Sequence, residues 1–225
     1  MNPPGDLAPD DANTWRDGAA RLFEGDQDDF GALAIWAWGA SRCADYLSQD
    51  AAIDASKLVV VGHSRGGKTA LWAGANDERF SIVIANESGC GGAAIARRRI
   101  GETPAAMNGM FPHWFNATYK SHSADVSDMP VDHHQLIASI APRAVYVASA
   151  ADDLWADPKG EFQSLAHANP AFDLFGDLPI DPDAMPPLET PLIEGRRGYH
   201  VRRGPHGMIR SDWDRFMDFA DQQFR

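Results

Sequence analysis

The chain has 225 residues, 44% of them hydrophobic, and a formal net charge of −12 at pH 7. This length and apolar content allow a full core and argue against disorder or a fibrous repeat. The acidic balance disfavours nucleic-acid binding, because an acidic surface repels the phosphate backbone.

The cysteines and the N-terminal segment further limit the classes of protein to which the chain can belong. Two cysteines are too few for a disulfide framework or a thiolate metal site, and we expect Cys43 and Cys90 to be free, with a single bridge between them as the alternative. We expect residues 1–25 to be irregular, because the segment begins rich in Pro, Gly and Asp, and it lacks the pattern of a signal peptide. The best apolar stretch, residues 31–40, is well short of the roughly 20 residues that a transmembrane helix needs.

Predicted strands and helices alternate along the chain. Residues 28–49 have small and apolar residues at helical spacing, and residues 169–195 fit a long surface excursion. We predict strands at 57–62, 81–86, 144–150 and, more weakly, 198–203, a helix at 65–75 and a final amphipathic helix at 211–224. Strands that are apolar on both faces indicate one α/β domain over residues 1–225, with a parallel sheet between layers of helices.

A nucleophile motif lies between the first predicted strand and its helix. The run Gly62-His63-Ser64-Arg65-Gly66 has the sequence and the context of a nucleophile elbow, which predicts an α/β-hydrolase fold with Ser64 as nucleophile. The elbow forces the serine into a strained turn, so we expect small residues to be required at Gly62 and Gly66, where strand and helix approach.

A serine nucleophile needs a histidine base and an orienting carboxylate, in the chain order serine, acid, histidine. His206 fits the base because it lies in the loop between the last predicted strand and the last helix. Two acids fit, since Asp153 follows the third predicted strand and Glu87 follows the second. Their positions in the sequence do not show which of the two is the catalytic acid.

Two cations, Arg65 and Lys68, lie within one helical turn of Ser64. Helix N-termini normally prefer acidic residues, so this placement favours a functional role. Arg65 can donate to the oxyanion that forms when Ser64 attacks an ester, and Lys68 can reach polar groups of the acyl part.

Taken in order, these segments resemble the glucuronoyl esterases, carbohydrate esterases of family 15 that split esters between glucuronic acid on xylan and lignin alcohols. The resemblance runs from about residue 29 to the C-terminus and is closer to the bacterial branch than to the fungal one. It is carried by the segments 64–68, 87–92, 111–115, 130–134, 140–143 and 153–155 and by the loop of His206.

The resemblance implies Glu87 as the acid, with Asp153 as the alternative, and Arg65 as the group that stabilises the oxyanion. Fungal members place a disulfide beside the nucleophile, whereas His63 stands there in this chain and the loop of the base has no cysteine. Family domains are longer at the N-terminus, so the resemblance also implies a domain without its first strands.

For the substrate, the resemblance implies that Lys68 and Glu102 form hydrogen bonds with sugar hydroxyls and that Trp155 packs against the uronate ring, consistent with how charged groups and aromatic faces bind sugars. We expect a monomer that hydrolyses uronate esters of small molecules or polysaccharides through an acyl-enzyme, without cofactor or metal. The family implies a secreted or periplasmic location. The alternatives are an acetyl or general carboxylesterase and an inactive chain that binds uronate-bearing polysaccharide.

Overall fold

The sheet lies at the centre of the protein. A computed structural model describes residues 7–23 and 29–225. Within these ranges the sheet is parallel and has the order β1-β2-β3-β4. Its strands are β1 (Leu58–His63), β2 (Phe80–Asn86), β3 (Ala144–Ala150) and β4 (Arg197–Arg202). The four predicted strands are confirmed to within one residue at each end.

Helices connect and cover these strands. They are α1 (Ala32–Leu47), α2 (Arg65–Asn76), α3 (Pro104–Met110), α4 (Ala117–Ser121), α5 (His133–Ala138), α6 (Pro158–His167), α7 (Asn169–Asp173) and α8 (Arg210–Gln223). The predicted first, second and last helices correspond to α1, α2 and α8. None of the helices in the described ranges is long and apolar enough to cross a bilayer.

Alternate residues of each central strand face opposite layers, as the period of a strand requires. On one face, Val83 and Val145 belong to a core that includes residues of α1, α2, α5 and α6. On the other face, Ile82 and Tyr146 pack with Phe219 of α8. Phe219 is fully buried, so its truncation to alanine would cost about 3–5 kcal/mol. The parallel sheet covered on both faces is therefore confirmed.

The two predicted irregular stretches have different outcomes. Within residues 7–23 the chain forms turns and two short 3-10 helices, Trp15–Asp17 and Ala19–Leu22, while the remainder of the stretch 1–25 lies outside the described residues. The excursion 169–195 contains α7 and buries Phe172 and Ile180 in the main core, so it is anchored to the domain. Both cysteines are free thiols, as expected.

The register of the sheet brings the carboxyl ends of its strands to one edge. The paired positions there are His63 with Asn86, Asn86 with Ala148, and Ala150 with Arg202. Hydrogen bonds continue past the strands, because the Ser64 N–H donates to the Asn86 carbonyl at 2.9 Å and the Glu87 N–H donates to the Ala148 carbonyl at 2.7 Å. Ligands of open parallel sheets bind at this edge, and the predicted site residues lie there.

Candidate active site

Ser64 occupies the strained turn that the motif predicts. Its backbone has φ 57° and ψ −125°, a positive φ that residues with a side chain rarely adopt. A methyl group on Gly62 would collide with the backbone of Gly66, so the requirement for glycine at Gly62 is confirmed. The expected requirement at Gly66 is wrong, because a methyl group there meets open space. The second tight position is Gly67, where it would lie 2.9 Å from Cβ of Ser88.

The predicted nucleophile and base face the same cleft. Its volume is about 500 Å³, and it is lined by Trp36, His63, Ser64, Arg65, Gly66, Thr69 and His206. Ser64 and His206 are separated by 142 residues in the sequence, and the shared strand edge brings them together. A substrate carbonyl in this cleft would therefore meet a hydroxyl and an imidazole at once.

His206 is held by two carboxylates. Its Nδ1 atom lies 2.6 Å from Oδ2 of Asp153 and 3.1 Å from Oε2 of Glu87. Both carboxylates are buried, whereas the imidazole is 44% exposed. Since carboxylates accept hydrogen bonds, Nδ1 carries the proton, and Nε2 is left to accept a proton from a nucleophile. The two acids that the sequence left open thus lie at one nitrogen.

These contacts change the protonation of the imidazole. The hydrogen bond with Asp153, and then that with Glu87, raises the pKa of His206 to about 10, against the effect of burial. Burial by itself raises the pKa of Asp153, but the hydrogen bond and charge of His206 outweigh it and hold that pKa below its usual value. The resting site therefore favours an imidazolium between two carboxylates.

Glu87 has further partners that Asp153 lacks. Its Oε1 accepts a 2.7 Å hydrogen bond from Arg202, and its Oε2 accepts a 2.9 Å hydrogen bond from the Gly207 N–H. Arg202 in turn contacts Asp212 and donates to the Gly207 carbonyl. Glu87 thereby ties the loop of the histidine to the sheet, while Asp153 accepts the shorter hydrogen bond. Sequence reasoning missed Arg202, whose position at the end of a strand next to this loop was an available signal.

His63, a residue of the elbow, packs against the predicted base. The rings of His63 and His206 have centroids 4.5 Å apart with an interplanar angle of 37°. The side-chain amide of Asn86 lies 2.8 Å from Nδ1 of His63 and also donates to the Gly207 carbonyl, so this Nδ1 accepts. Burial, and then the charge of His206, lowers the pKa of His63, which favours a neutral ring beside the base.

One group within the described residues has the composition of a metal site. His63, Glu87 and His206 each offer a ligand atom, and these atoms lie within 4.8 Å of one another. Glu87 already binds the Arg202 guanidinium and the Gly207 N–H, and a metal cation would have to displace the first and tolerate its charge. The donor set is therefore better suited to hydrogen bonding than to a resident metal ion.

Arg65 lines the cleft and is paired with a residue that sequence reasoning missed. Its Nη1 lies 2.9 Å from Oδ2 of Asp10, and its side chain remains 54% exposed. Asp10 also accepts hydrogen bonds through Oδ1 from His113 and Trp114, so the guanidinium is held from the N-terminal segment. No sequence signal links Asp10 to the elbow, because the contact spans two distant segments. The oxyanion role of Arg65 stays a prediction.

Lys68 is buried in the first turn of α2. Its Nζ donates to the carbonyls of Ser88 and Cys90, at 2.6 and 2.7 Å, and to Oε2 of Glu102 at 2.6 Å. Its side chain is 2% exposed, and three acceptors use its three protons. A hydrogen bond to a sugar hydroxyl would have to replace one of these contacts, so the direct sugar contact of Lys68 stays a prediction.

Glu102 and Trp155 lie next to each other beside the loop of Asp153. The Glu102 N–H donates to the Trp155 carbonyl at 2.7 Å, which joins the two segments. Trp155 is 48% exposed, and an exposed indole is available as a face for the C–H groups of a sugar ring. The sugar contacts of both residues stay predictions.

Comparison with known proteins identifies the family. A family model described as glucuronyl esterase of fungi matches residues 8–176. The chain is 45% identical over 192 residues to a carbohydrate esterase from an unknown prokaryotic organism, covering 85% of this chain and 44% of that protein. It is 36% identical over 176 residues to the 4-O-methyl-glucuronoyl methylesterase of Hypocrea jecorina, covering 73% of this chain and 38% of that protein.

Solved structures give the same result. The glucuronoyl esterase from Solibacter usitatus superposes with a TM-score of 0.91 at 46% identity, covering 97% of this chain and 57% of that chain. This match confirms the predicted α/β-hydrolase fold and the similarity to bacterial members. The chain spans about half the length of the relatives it matches. The chain belongs to the glucuronyl esterase family.

Proposed function

We propose that this chain carries the catalytic site of a serine esterase that hydrolyses esters of glucuronic acid or 4-O-methylglucuronic acid. The observation that carries the proposal is the shared cleft, which is lined both by Ser64 on a strained elbow and by an imidazole that two carboxylates hold. This is the arrangement of nucleophile, base and orienting acid that acyl transfer requires.

The reaction proceeds through an acyl-enzyme. In the neutral form of the imidazole, Nε2 of His206 accepts the hydroxyl proton as Oγ of Ser64 bonds to the ester carbon, and the carbonyl electrons move onto oxygen. Arg65 donates to this oxyanion more strongly than to the neutral carbonyl. Collapse of the intermediate expels the alcohol, which takes the proton from His206. Water then repeats the sequence on the acyl-enzyme and releases the uronic acid.

We assign the orienting acid to both carboxylates. Glu87 and Asp153 lie 3.1 Å and 2.6 Å from Nδ1, so each can hold the ring and stabilise the imidazolium that forms during attack. Glu87 additionally fixes the loop through the Gly207 N–H. This assignment keeps Glu87, which the family resemblance favours, and adds Asp153.

The uronate specificity rests on the names of the relatives and on the surroundings of the cleft. One relative is a 4-O-methyl-glucuronoyl methylesterase, and a structural neighbour is a glucuronoyl esterase. Glu102 and the exposed face of Trp155 are suited to the hydroxyls and the C–H face of a sugar ring. Because such esters occur in plant cell walls, we propose a secreted or periplasmic monomer that acts on small or polysaccharide-borne esters.

Turnover of the methyl ester of 4-O-methylglucuronic acid tests the proposal. The protein is expected to hydrolyse this ester, and Ser64→Ala is expected to abolish turnover and labelling by a fluorophosphonate probe. Ser121→Ala, a serine outside the cleft, is the matched control and should behave as the unaltered protein. Faster hydrolysis of an acetyl ester would instead favour a general carboxylesterase, and absence of labelling at Ser64 would favour a binding chain.

A further inference from the structure

Glu161 is a fully buried carboxyl group that the proposed mechanism does not use. It lies in the first turn of α6 with no exposed surface. Its Oε1 accepts hydrogen bonds from the backbone N–H groups of Ser88 at 2.7 Å and of Gly89 at 3.0 Å, and from the Ser88 hydroxyl at 3.1 Å. Its Oε2 accepts the Ser149 hydroxyl at 2.7 Å. Within the described residues, Glu161 forms no ion pair.

These partners lie on the two segments that carry the orienting acids. Ser88 and Gly89 directly follow Glu87, which has a positive φ of 46° that an ordinary loop would not hold without support. Ser149 lies near the end of β3, four residues before Asp153. One carboxyl group therefore connects the end of β2 with the end of β3 through hydrogen bonds.

The bridge extends to the neighbouring strand. The Tyr199 hydroxyl, on β4, donates to Ser149 and lies 3.0 Å from the Pro158 carbonyl at the start of α6. The ends of β2 and β3, the middle of β4 and the start of α6 are thus joined around Glu161. A buried carboxylate without a cation is costly, and four donors together with the N-terminal end of α6 offset part of that cost.

We propose that Glu161 is a positioning residue, which holds the backbone of residues 87–89 and the end of β3 so that Glu87 and Asp153 both reach Nδ1 of His206. The proposal rests on the esterase function proposed above. It differs from a purely structural role because it makes the protonation of His206 depend on a residue that does not touch it.

The protonation of Glu161 itself agrees with a role through hydrogen bonds. Burial raises the pKa of Glu161 to about 8, although the hydrogen bonds from Ser149, Gly89 and Ser88 act in the opposite direction. The group therefore gains and loses its proton close to neutral pH, whereas its acceptor contacts to the two N–H groups are available in either state. A glutamine, which keeps an acceptor oxygen at the same distance, should serve nearly as well.

Three variants separate positioning from stability. Glu161→Gln keeps the acceptor, Glu161→Asp withdraws it by one methylene, and Leu165→Ala removes a fully buried side chain from the same helix as the matched control. Two measurements are made on each folded protein: the pH midpoint of kcat on the methyl ester, and the NMR resonance of the His206 Nδ1–H proton in the resting protein. The second measurement needs no turnover, so it separates failure of this inference from failure of the esterase proposal.

Glu161→Asp is expected to lower kcat by about 10- to 100-fold with KM changed less than about threefold, because small misplacements of catalytic groups are costly. It should also lower the pH midpoint and shift the Nδ1–H resonance away from its position in the unaltered protein. Glu161→Gln and Leu165→Ala should leave the midpoint and the resonance unchanged.

The inference is overturned if Glu161→Asp keeps both the midpoint and the resonance, if Leu165→Ala moves them equally, or if Glu161→Gln is as impaired as Glu161→Asp. Should Glu161→Asp not fold, Ser149→Ala takes its place, because it removes one donor to Glu161 with a minimal change of volume. A lowered midpoint in Ser149→Ala supports the inference, and an unchanged midpoint overturns it.

Discussion

Asp153 accepts a 2.6 Å hydrogen bond from Nδ1 of His206, at the same nitrogen that Glu87 approaches to 3.1 Å. Two carboxylates from the ends of two neighbouring strands thus converge on one imidazole. Their partners differ, since Glu87 is also bound to Arg202 and to the Gly207 N–H, whereas Asp153 accepts the Ala156 N–H. This relationship makes the roles of the two acids separable by mutation.

A double-mutant cycle tests whether the acids share one task. We expect Glu87→Gln and Asp153→Asn each to lower kcat by about 10-fold, because one carboxylate still orients the ring, and the double variant to lose about 10⁴-fold. A loss in the double variant larger than the product of the single losses indicates shared function. A loss equal to the larger single effect would assign the acid to that residue alone.

The pH dependence of the rate follows from the pKa of His206. Only the neutral imidazole accepts the serine proton, and the carboxylates raise its pKa to about 10, so kcat/KM should rise with pH through the alkaline range. Removing the first of the two causes, in Asp153→Asn, should move the midpoint down towards the ordinary value of 6.5. Rate profiles of both proteins check this, and an unchanged midpoint would contradict it.

The same shift predicts a pH-dependent stability. Because the folded-state pKa of His206 lies above 6.5, its contribution to the free energy of unfolding is full below that pH and is lost as the pH rises through about 10. Urea denaturation across this range should show a smaller decline in His206→Gln than in the unaltered protein. Equal declines in the two proteins would mean that the pKa is not raised in the folded state.

Arg65 should act on the transition state more than on binding. We expect Arg65→Ala to lower kcat about 100-fold with little change in KM, because an oxyanion donor is worth most when the charge has formed. Arg42→Ala, which removes another partly exposed arginine paired with Asp45, is the control and should have no effect on kcat. A normal kcat in Arg65→Ala would leave this arginine as the partner of Asp10 alone.

Lys68 should matter first for stability. Lys68→Met leaves Glu102 and the carbonyls of Ser88 and Cys90 without their cation, so we expect the free energy of unfolding to fall by about 3–5 kcal/mol. Lys57→Met breaks an exposed pair with Asp54 and should leave the free energy of unfolding nearly unchanged. A raised KM with unchanged stability in Lys68→Met would instead indicate a direct contact with substrate.

Local patterns were enough for the four strands, for three of the helices and for the elbow. Apolar runs and helical spacing placed the four strands to within one residue, because burial on both faces of a central strand demands such runs. The same reasoning wrongly predicted that a small residue is required at Gly66. Whether a side chain fits depends on what lies opposite it, and Gly67, rather than Gly66, faces Ser88.

Chain order and motif context predicted Ser64 as nucleophile, His206 as base and two possible acids, since strand ends of a parallel sheet meet at one edge. Proximity across that edge could not be read from spacing. Three contacts join residues that are far apart in the chain. They are the approach of Glu87 and Asp153 to His206, the ring contact of His63 with His206, and the ion pair of Asp10 with Arg65. The hydrogen bonds from Lys68 to two carbonyls and to Glu102 also join distant residues.

The order of the residues was therefore sufficient to determine the fold class and to predict the nucleophile and the base, because these follow from periodicity and from the short-range geometry of one turn. The choice of acid, the protonation of the imidazole and the support from Glu161 depend on distances of a few ångströms between separate strands. Such distances are set by the pairing of the strands and the packing of the core, so the three-dimensional structure was needed to obtain them.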